Sequence, residues 1–285
     1  MVSARVTGTP DLPAVHRARV IPVLLLKKGL LYKTVKFRNA KYVGDPQVAV
    51  KIFNDKGIDE LVILDIDATP QGTRPDFALL EDIAAESFMP LAYGGGVRTL
   101  DDVKTVVCCG YEKIILGAIA IEKPAFVSAA AELLGSSSVV VCIDVARDLL
   151  GRRRVVSHSA HRRSSIDPVQ FAERMVAAGA GELIIQSVSQ DGTFSGYDID
   201  LIRRIAHAVD VPTIALGGAR DVSDLAAAVN DGGAAAAAAG SMFVFRLPHR
   251  AVLITFPEEA ELRRSLAHRS PASTLPGRES TRTLR

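Results

Sequence analysis

Four aspartates, three glycine-rich turns and a pair of lysines are the residues of this chain whose types and spacing could do chemistry. Asp65 and Asp67 follow one apolar run, Asp144 ends another directly after Val139-Val140-Val141-Cys142-Ile143, and Asp191 opens Asp191-Gly192-Thr193. A carboxylate at the rim of an apolar pocket can take or give a proton near neutral pH, because burial penalises its charged form. Asp144 is therefore the candidate catalytic acid or base. Asp65 reads equally as the structural partner of a lysine, and Asp191 also reads as a turn residue. Gly94-Gly95-Gly96 and Gly217-Gly218 each precede a helical pattern, starting near Thr99 and Val222, and Gly240-Ser241 follows the last apolar run. Glycine lets a backbone come close to a ligand, and free amides at a helix start hold phosphate oxygens. The candidate substrate- and phosphate-binding residues are thus Gly95, Gly96, Gly217, Gly218, Gly240 and Ser241, with Asp191 and Gly192 beside them. Two such turns on opposite sides of one mouth imply a phosphorylated small molecule with two anionic ends; tight turning alone is the alternative. Lys33, in Lys33-Thr34-Val35-Lys36-Phe37, could clamp an anion or close a lid, or else belong to a solvated hairpin face.

Bringing these groups together requires a scaffold that collects many loops on one face. Short apolar runs recur at residues 19–26, 60–65, 89–93, 113–116, 139–144, 182–187, 211–216 and 234–239. Runs without alternation suit strands buried on both faces, and the amphipathic stretches 76–87, 100–109 and 167–178 suit crossover helices. The alanine run 234–239 fits a strand least well, since alanine favours helix. Residues 57–63 match 179–185, and Met89-Pro90 through Gly95-Gly96-Val97-Arg98 matches Val211-Pro212 through Gly217-Gly218-Ala219-Arg220. Both matches lie about 122 residues apart, a spacing that makes a duplicated four-unit half-barrel the natural reading. The expected fold is an α/β (β/α)₈ TIM barrel of two similar halves, with the site at the C-terminal strand ends. Two connections, 27–45 and 147–167, are longer than such a barrel needs and read as substrate-handling loops.

Length and composition set the remaining bounds. The chain has 285 residues, 48% of them hydrophobic, which is enough for one barrel over 19–267 flanked by an N-terminal extension, 1–18, and a disordered tail, 268–285. Lys and Arg number 34 against 32 acids, so no nucleic-acid partner is expected. No apolar run reaches the length of a membrane span, so no membrane partner is expected either, and the chain reads as cytoplasmic. Cys108, Cys109 and Cys142 read as reduced structural thiols. His158 and His161 sit among arginines, which disfavour a cation, and neither a metal nor a cofactor is expected.

From Arg19 to Phe245 the chain resembles HisF, the cyclase subunit of imidazole glycerol phosphate synthase. The resemblance rests on Asp59-Glu60-Leu61 with Leu64-Asp65-Ile66, on Gly94-Gly95-Gly96, on Val139 through Asp144, on Asp191-Gly192-Thr193-Phe194-Ser195-Gly196-Tyr197-Asp198, and on Ala215-Leu216-Gly217-Gly218-Ala219. It implies a lyase-cyclase that receives ammonia through the barrel from a HisH-like glutaminase docked at the N-terminal face. The implied substrate is a bisphosphate, phosphoribulosyl-formimino-AICAR phosphate, and the implied acid and base are aspartates ending strands one and five. Asp144 matches the second. Leu25 stands in place of the first, and an aliphatic side chain cannot transfer a proton. Gly117-Ala118 replaces an Asn-Thr pair, Ser189 an Asp and Leu216 a Ser, while Ala160 and Ser165 stand where the family tends to have loop glycines. Ile21-Pro22-Val23-Leu24-Leu25-Leu26, Lys33 through Phe37, Gly240 through Phe245 and Ala251-Val252-Leu253-Ile254 are more similar to a paralogous branch. That branch is associated with acetamidino (amidine) modification of a surface-polysaccharide sugar, alongside a glutaminase-like subunit and an amidotransferase-like protein. The readings left open are such an ammonia-using subunit, a histidine-pathway cyclase that tolerates Leu25, and a non-catalytic scaffold that channels ammonia.

Overall fold

Strands covered on both faces have no polar side to show, and the apolar runs of this chain pair in that way. The computed structural model describes residues 17–157 and 165–266 with the backbone of 162–163, so most of the two terminal segments, together with His158, Ala160 and His161, lies outside the described residues. The barrel strands are β1 Arg19–Lys27, β2 Leu61–Asp65, β3 Leu91–Gly94, β4 Lys113–Leu116, β5 Val139–Arg147, β6 Glu182–Ser187, β7 Thr213–Leu216 and β8 Ala236–Ala239. Each is parallel to the next, and β8 pairs with β1, so the sheet closes and leaves no barrel edge. Four strands begin one or two residues later than their apolar runs suggest, β2, β3, β7 and β8, and at two of them proline is the reason. β3 starts after Pro90 and β7 after Pro212, because proline has no N–H to give to a ladder. The alanine run does form a strand, paired on both sides, so the closed sheet overrides alanine's helical preference.

The crossover helices are fixed at their starts by polar caps that follow the strand ends. Asp76 caps Phe77–Ala85 by accepting from the Leu79 amide, Asp167 caps Pro168–Ala177, and Asp198 caps Ile199–Ala206. Thr99 and Asp102 form a reciprocal capping box on Leu100–Cys108. Helices therefore begin at the C-terminal face of the barrel and their N-termini ring its mouth.

Two cores result. The outer one lies between sheet and helices, around Phe53, Tyr93, Phe171 and Phe243. The inner one fills the lumen with Ile21, Val23, Leu25, Val62, Ile115, Val140, Ile184, Ile214, Leu216 and Ala238. The lumen is thus packed and apolar along most of its length.

The connections at 27–45 and 147–167 are hairpins rather than loops. Leu30–Val35 continues the sheet antiparallel to β1 and pairs in turn with Arg38–Gly44. Arg153–Ser157 folds back on the end of β5. Both rise from the C-terminal face.

Candidate active site

A cavity of about 650 Å³ opens at the C-terminal ends of β1 to β5. Its floor is apolar, from Leu25, Leu64, Ile66 and Ile115, and Asp144, Cys142 and Gln186 stand at the side nearest β5 and β6. Gly95, Gly96, Gly117 and Ala118 supply much of its rim, with Arg38, Arg98 and Lys123 as cations.

Asp144 is the group best placed for proton transfer. It is partly open to the cavity and otherwise enclosed, and its carboxyl pKa is pushed up to about 7 by burial, with the charge of Asp191 adding to the rise. The Cys142 thiol, 3.7 Å from Asp144 Oδ1, opposes the shift by donating to the charged form. Burial drives the Cys142 thiol itself well above its ordinary value, so it is a donor here and not a nucleophile. Near pH 7 Asp144 exists in both protonation states, which is what an acid or base of one catalytic cycle needs.

Leu25 occupies the equivalent place in the other half. Leu25 pairs with Leu64 of β2, and Asp144 pairs with Gln186 of β6. Leu64 and Gln186 are related by the repeat spacing of about 122 residues, so the register itself places Leu25 where the first half would carry its counterpart of Asp144. Two quasi-equivalent positions facing one lumen hold a methyl-ended side chain and a carboxyl.

Asp65 also lines the cavity, but no lysine among the described residues holds it. Its Oδ1 accepts from the amides of Asp67 at 2.9 Å and Ala68 at 3.0 Å, tying the turn after β2, and Lys27 pairs with Asp67 instead, at 3.3 Å. Burial raises the Asp65 pKa while these amides pull against it. Gly95, at φ 120°, lies so close to the Asp65 carbonyl that a β-carbon would overlap it. The Gly96 amide donates to Thr69 Oγ1 at 3.3 Å, so that N–H is already engaged in the turn.

The remaining candidates gather across the mouth, under the first hairpin. Lys33 is not on a solvated face: it is only 6% exposed, and its ammonium lies 2.8 Å from Asp191 Oδ1. Asp191 is not merely a turn residue either, since Thr34 donates to its other carboxylate oxygen and its carbonyl accepts from the Lys36 amide at 2.8 Å. The Lys33 stem lies over Gly240, where a β-carbon would come within 2.9 Å of Lys33 Cε. Gly192 packs against the Thr34 carbonyl, Gly217 against that of Ser187 and Gly218 against that of Gly196. Ser241 Oγ is sealed from solvent and has no hydrogen-bond partner among the described residues.

One group of residues escaped the motif reading. Arg19, Glu60, Lys113 and Glu182 form a ring of ion pairs at the N-terminal end of the lumen: Arg19 bridges Glu60 and Glu182, and Lys113 Nζ lies 3.0 Å from Glu60 and 2.9 Å from Glu182. A signal was present, because four of the eight apolar runs have one of these charged residues at their first position, with opposite signs in equal number.

The molecule is a (β/α)₈ barrel of two half-barrels with a strand-end cavity and one carboxyl poised near neutrality. Residues 19–247 match the family described as Histidine biosynthesis protein, and the chain belongs to it. It is 42% identical over 251 residues to the "Putative imidazole glycerol phosphate synthase subunit hisF3" of Vibrio vulnificus, covering 88% of this chain and 96% of that one. It is 41% identical to the "Putative imidazole glycerol phosphate synthase subunit HisF" of Leptospira interrogans, over 86% of this chain and 97% of the relative. With the "Imidazole glycerol phosphate synthase subunit HisF" of Alkaliphilus metalliredigens the identity is 37%, over 79% and 89% of the two chains.

Proposed function

We propose that this protein is a HisF-like amidotransferase subunit that uses ammonia from a glutaminase partner for amidine formation on a surface-polysaccharide sugar. Asp144 is the proton-transfer group in this reading. The observation that carries it is the unequal pair at the lumen's mouth: Asp144 retains a carboxyl with a pKa near 7, and Leu25 supplies no second one. A cyclisation that needs an acid on one side and a base on the other is left with half its equipment, whereas delivery of ammonia to an electrophile needs one group to manage a proton.

The glutaminase docks at the N-terminal face. Ammonia passes inward beside the Arg19, Glu60, Lys113 and Glu182 ring and then along an apolar lumen, which suits a neutral molecule and rejects ammonium. At the other end Arg98 and the Gly95–Gly96 rim receive an anionic group of the substrate, the Gly96 amide exchanging Thr69 Oγ1 for the anion, and Lys33, Asp191, Gly192, Gly217, Gly218, Gly240 and Ser241 serve a second anionic end when the first hairpin moves.

The histidine-pathway cyclase is the second reading, favoured by Asp144 and by the relatives' printed names. Purified protein supplied with phosphoribulosyl-formimino-AICAR phosphate and ammonium salt separates the two. Brisk formation of imidazole glycerol phosphate overturns the amidine reading; an inert protein in which Leu25→Asp creates that activity supports it. A pure ammonia scaffold predicts that Asp144→Asn leaves the complex's output unchanged.

A further inference from the structure

Among the described residues one glycine has no reason in the fold to be a glycine. Every other described glycine either takes a positive φ or would press a β-carbon against a neighbour. Around the cavity, Gly94 would bring that carbon to 3.0 Å from Ile115 Cβ and Leu64 Cδ2, Gly95 to 2.4 Å from the Asp65 carbonyl oxygen and Gly96 to 2.8 Å from Ala68 Cβ. Gly117 differs on both counts. It sits at φ −107° and ψ −96°, outside the left-handed region that reserves a position for glycine, and a β-carbon there would meet no atom within 4 Å. The space that a side chain would fill belongs to the cavity, because Gly117 stands in its wall directly after β4. Ala118, also in the wall, follows with a single methyl group. Two consecutive positions thus keep their volume for whatever the cavity holds.

The rest of the lining says what class of molecule that is. At about 650 Å³ the cavity is in the range that encloses a small-molecule ligand. Leu64, Ile66 and Ile115 make the floor apolar, Asp65 and Asp144 line it as carboxyls, and Arg98 and Lys123 are cations of the rim. An apolar floor beside carboxylate acceptors suits a ring with C–H faces and hydroxyl edges, and the cations suit a phosphate carried by that ring. Gly117-Ala118 also stands where the family resemblance puts an Asn-Thr pair, so two positions that offer polar side chains there offer room here. We propose that Gly117 is a specificity-determining residue, whose missing side chain admits the ring of a phosphorylated acetamido sugar beside the end of β4. That the ligand is a sugar rests on the amidine reading above; that the room belongs to the ligand does not.

Gly117→Ala and Gly117→Leu grade the volume. The full chain is titrated by calorimetry with N-acetylglucosamine 1-phosphate and, separately, with inorganic phosphate. Wild type should bind the sugar phosphate about tenfold or more tighter than phosphate, since the ring adds buried apolar area. Gly117→Ala should weaken the sugar phosphate by about threefold and Gly117→Leu by about thirtyfold or more, as groups that no longer fit beside the ring. Phosphate alone needs no such room, and its affinity should stay within about twofold in both variants. The thermal midpoint of Gly117→Ala should lie within about 3 °C of wild type. A larger fall assigns the glycine to the backbone and overturns the proposal. So does a sugar phosphate affinity blind to Gly117→Leu, or a wild type that binds the sugar phosphate no tighter than phosphate. All of these are equilibrium measurements without the glutaminase. A protein that passes them but forms no amidine with its partner keeps Gly117 as the gatekeeper of the cavity and loses the reaction proposed above.

Discussion

The two halves of the barrel share strand register and turn chemistry, but their mouths are built in opposite ways. Around β2 to β4 the mouth is an open cavity with an apolar floor and cations at its rim. Around β6 to β8 the first hairpin lies across it, pinned by the buried Lys33–Asp191 pair, with Ser241 Oγ sealed beneath. Duplication gave both halves a glycine turn at the same place, Gly94-Gly95-Gly96 and Leu216-Gly217-Gly218. What distinguishes them is a handful of side chains: Leu25 against Asp144, and a hairpin lysine with a partner 158 residues away. Half-barrels that share strand register and a glycine turn therefore differ in whether the mouth above them is open or covered.

Asp144 offers the sharpest test of that contrast. Asp144→Asn keeps shape and removes the titrating carboxyl, and on the reading proposed above we expect turnover to fall by about a hundredfold or more. Stability should move the other way. A carboxyl whose folded pKa of about 7 exceeds its unfolded value holds extra protons in the native state. Its contribution is fully present below pH 4 and is lost as pH rises to about 7, up to about 4 kcal/mol in all. Denaturant melts of wild type should therefore weaken across that window, and those of Asp144→Asn should lack this slope. Parallel curves for the two proteins would remove Asp144 from the list of perturbed groups.

Next in size is the pin of the closed half. Lys33→Met strands the Asp191 carboxylate in a buried site and should cost about 3 to 5 kcal/mol, by the usual penalty for breaking a buried ion pair. Lys33→Met with Asp191→Leu should recover much of the loss, because neither charge is then left alone. If Lys33→Met instead costs under about 1 kcal/mol, the hairpin is not pinned there and the contrast between halves dissolves.

The glycine turns come third, and here the halves should behave alike. Gly95→Ala and Gly218→Ala both demand a positive φ and bring a β-carbon onto a carbonyl oxygen, of Asp65 and Gly196 respectively. Each should lose about 2 to 3 kcal/mol in thermal or chemical melts, from backbone strain of that order. A neutral substitution at either would show that the turn can shift, and that its glycine serves the ligand rather than the fold.

How much of this is legible without coordinates follows from what a local pattern can carry. The eight strands, the crossover helices and Asp144 are readable because burial on two faces, helical period and strand-end position are properties of adjacent residues. Leu25 is visible through the resemblance, as the residue standing where the family carries its first aspartate, and the strand register then makes it the counterpart of Asp144. The hairpin strands were hidden, since Leu30–Val35, with Lys33 and Thr34 inside it and Lys36 directly after, looks as much like a polar loop as a strand. Lys33 was ambiguous for the same reason: only Asp191, brought in by barrel closure, decides that it is buried. The ring of Arg19, Glu60, Lys113 and Glu182 needs four strands to meet before its charges make sense.

The smallest expected change in stability tests the open half. Arg98 is exposed and donates to the carbonyls of Gly72 at 3.1 Å and Thr69 at 3.3 Å, contacts that water can replace. Arg98→Met should therefore shift stability by less than about 0.5 kcal/mol. Its guanidinium nevertheless stands at the cavity rim beside Gly96, with donors free in number to meet an anion as well. Inorganic phosphate titrated into the protein and followed by calorimetry or amide shifts should bind about tenfold more weakly to Arg98→Met, in line with a charge-assisted hydrogen bond. The same titration of Lys33→Met reads the other half: an affinity unchanged there assigns the phosphate to the open cavity. An affinity that collapses there, with Arg98→Met unaffected, would mean that the half described as closed is the one that receives the ligand.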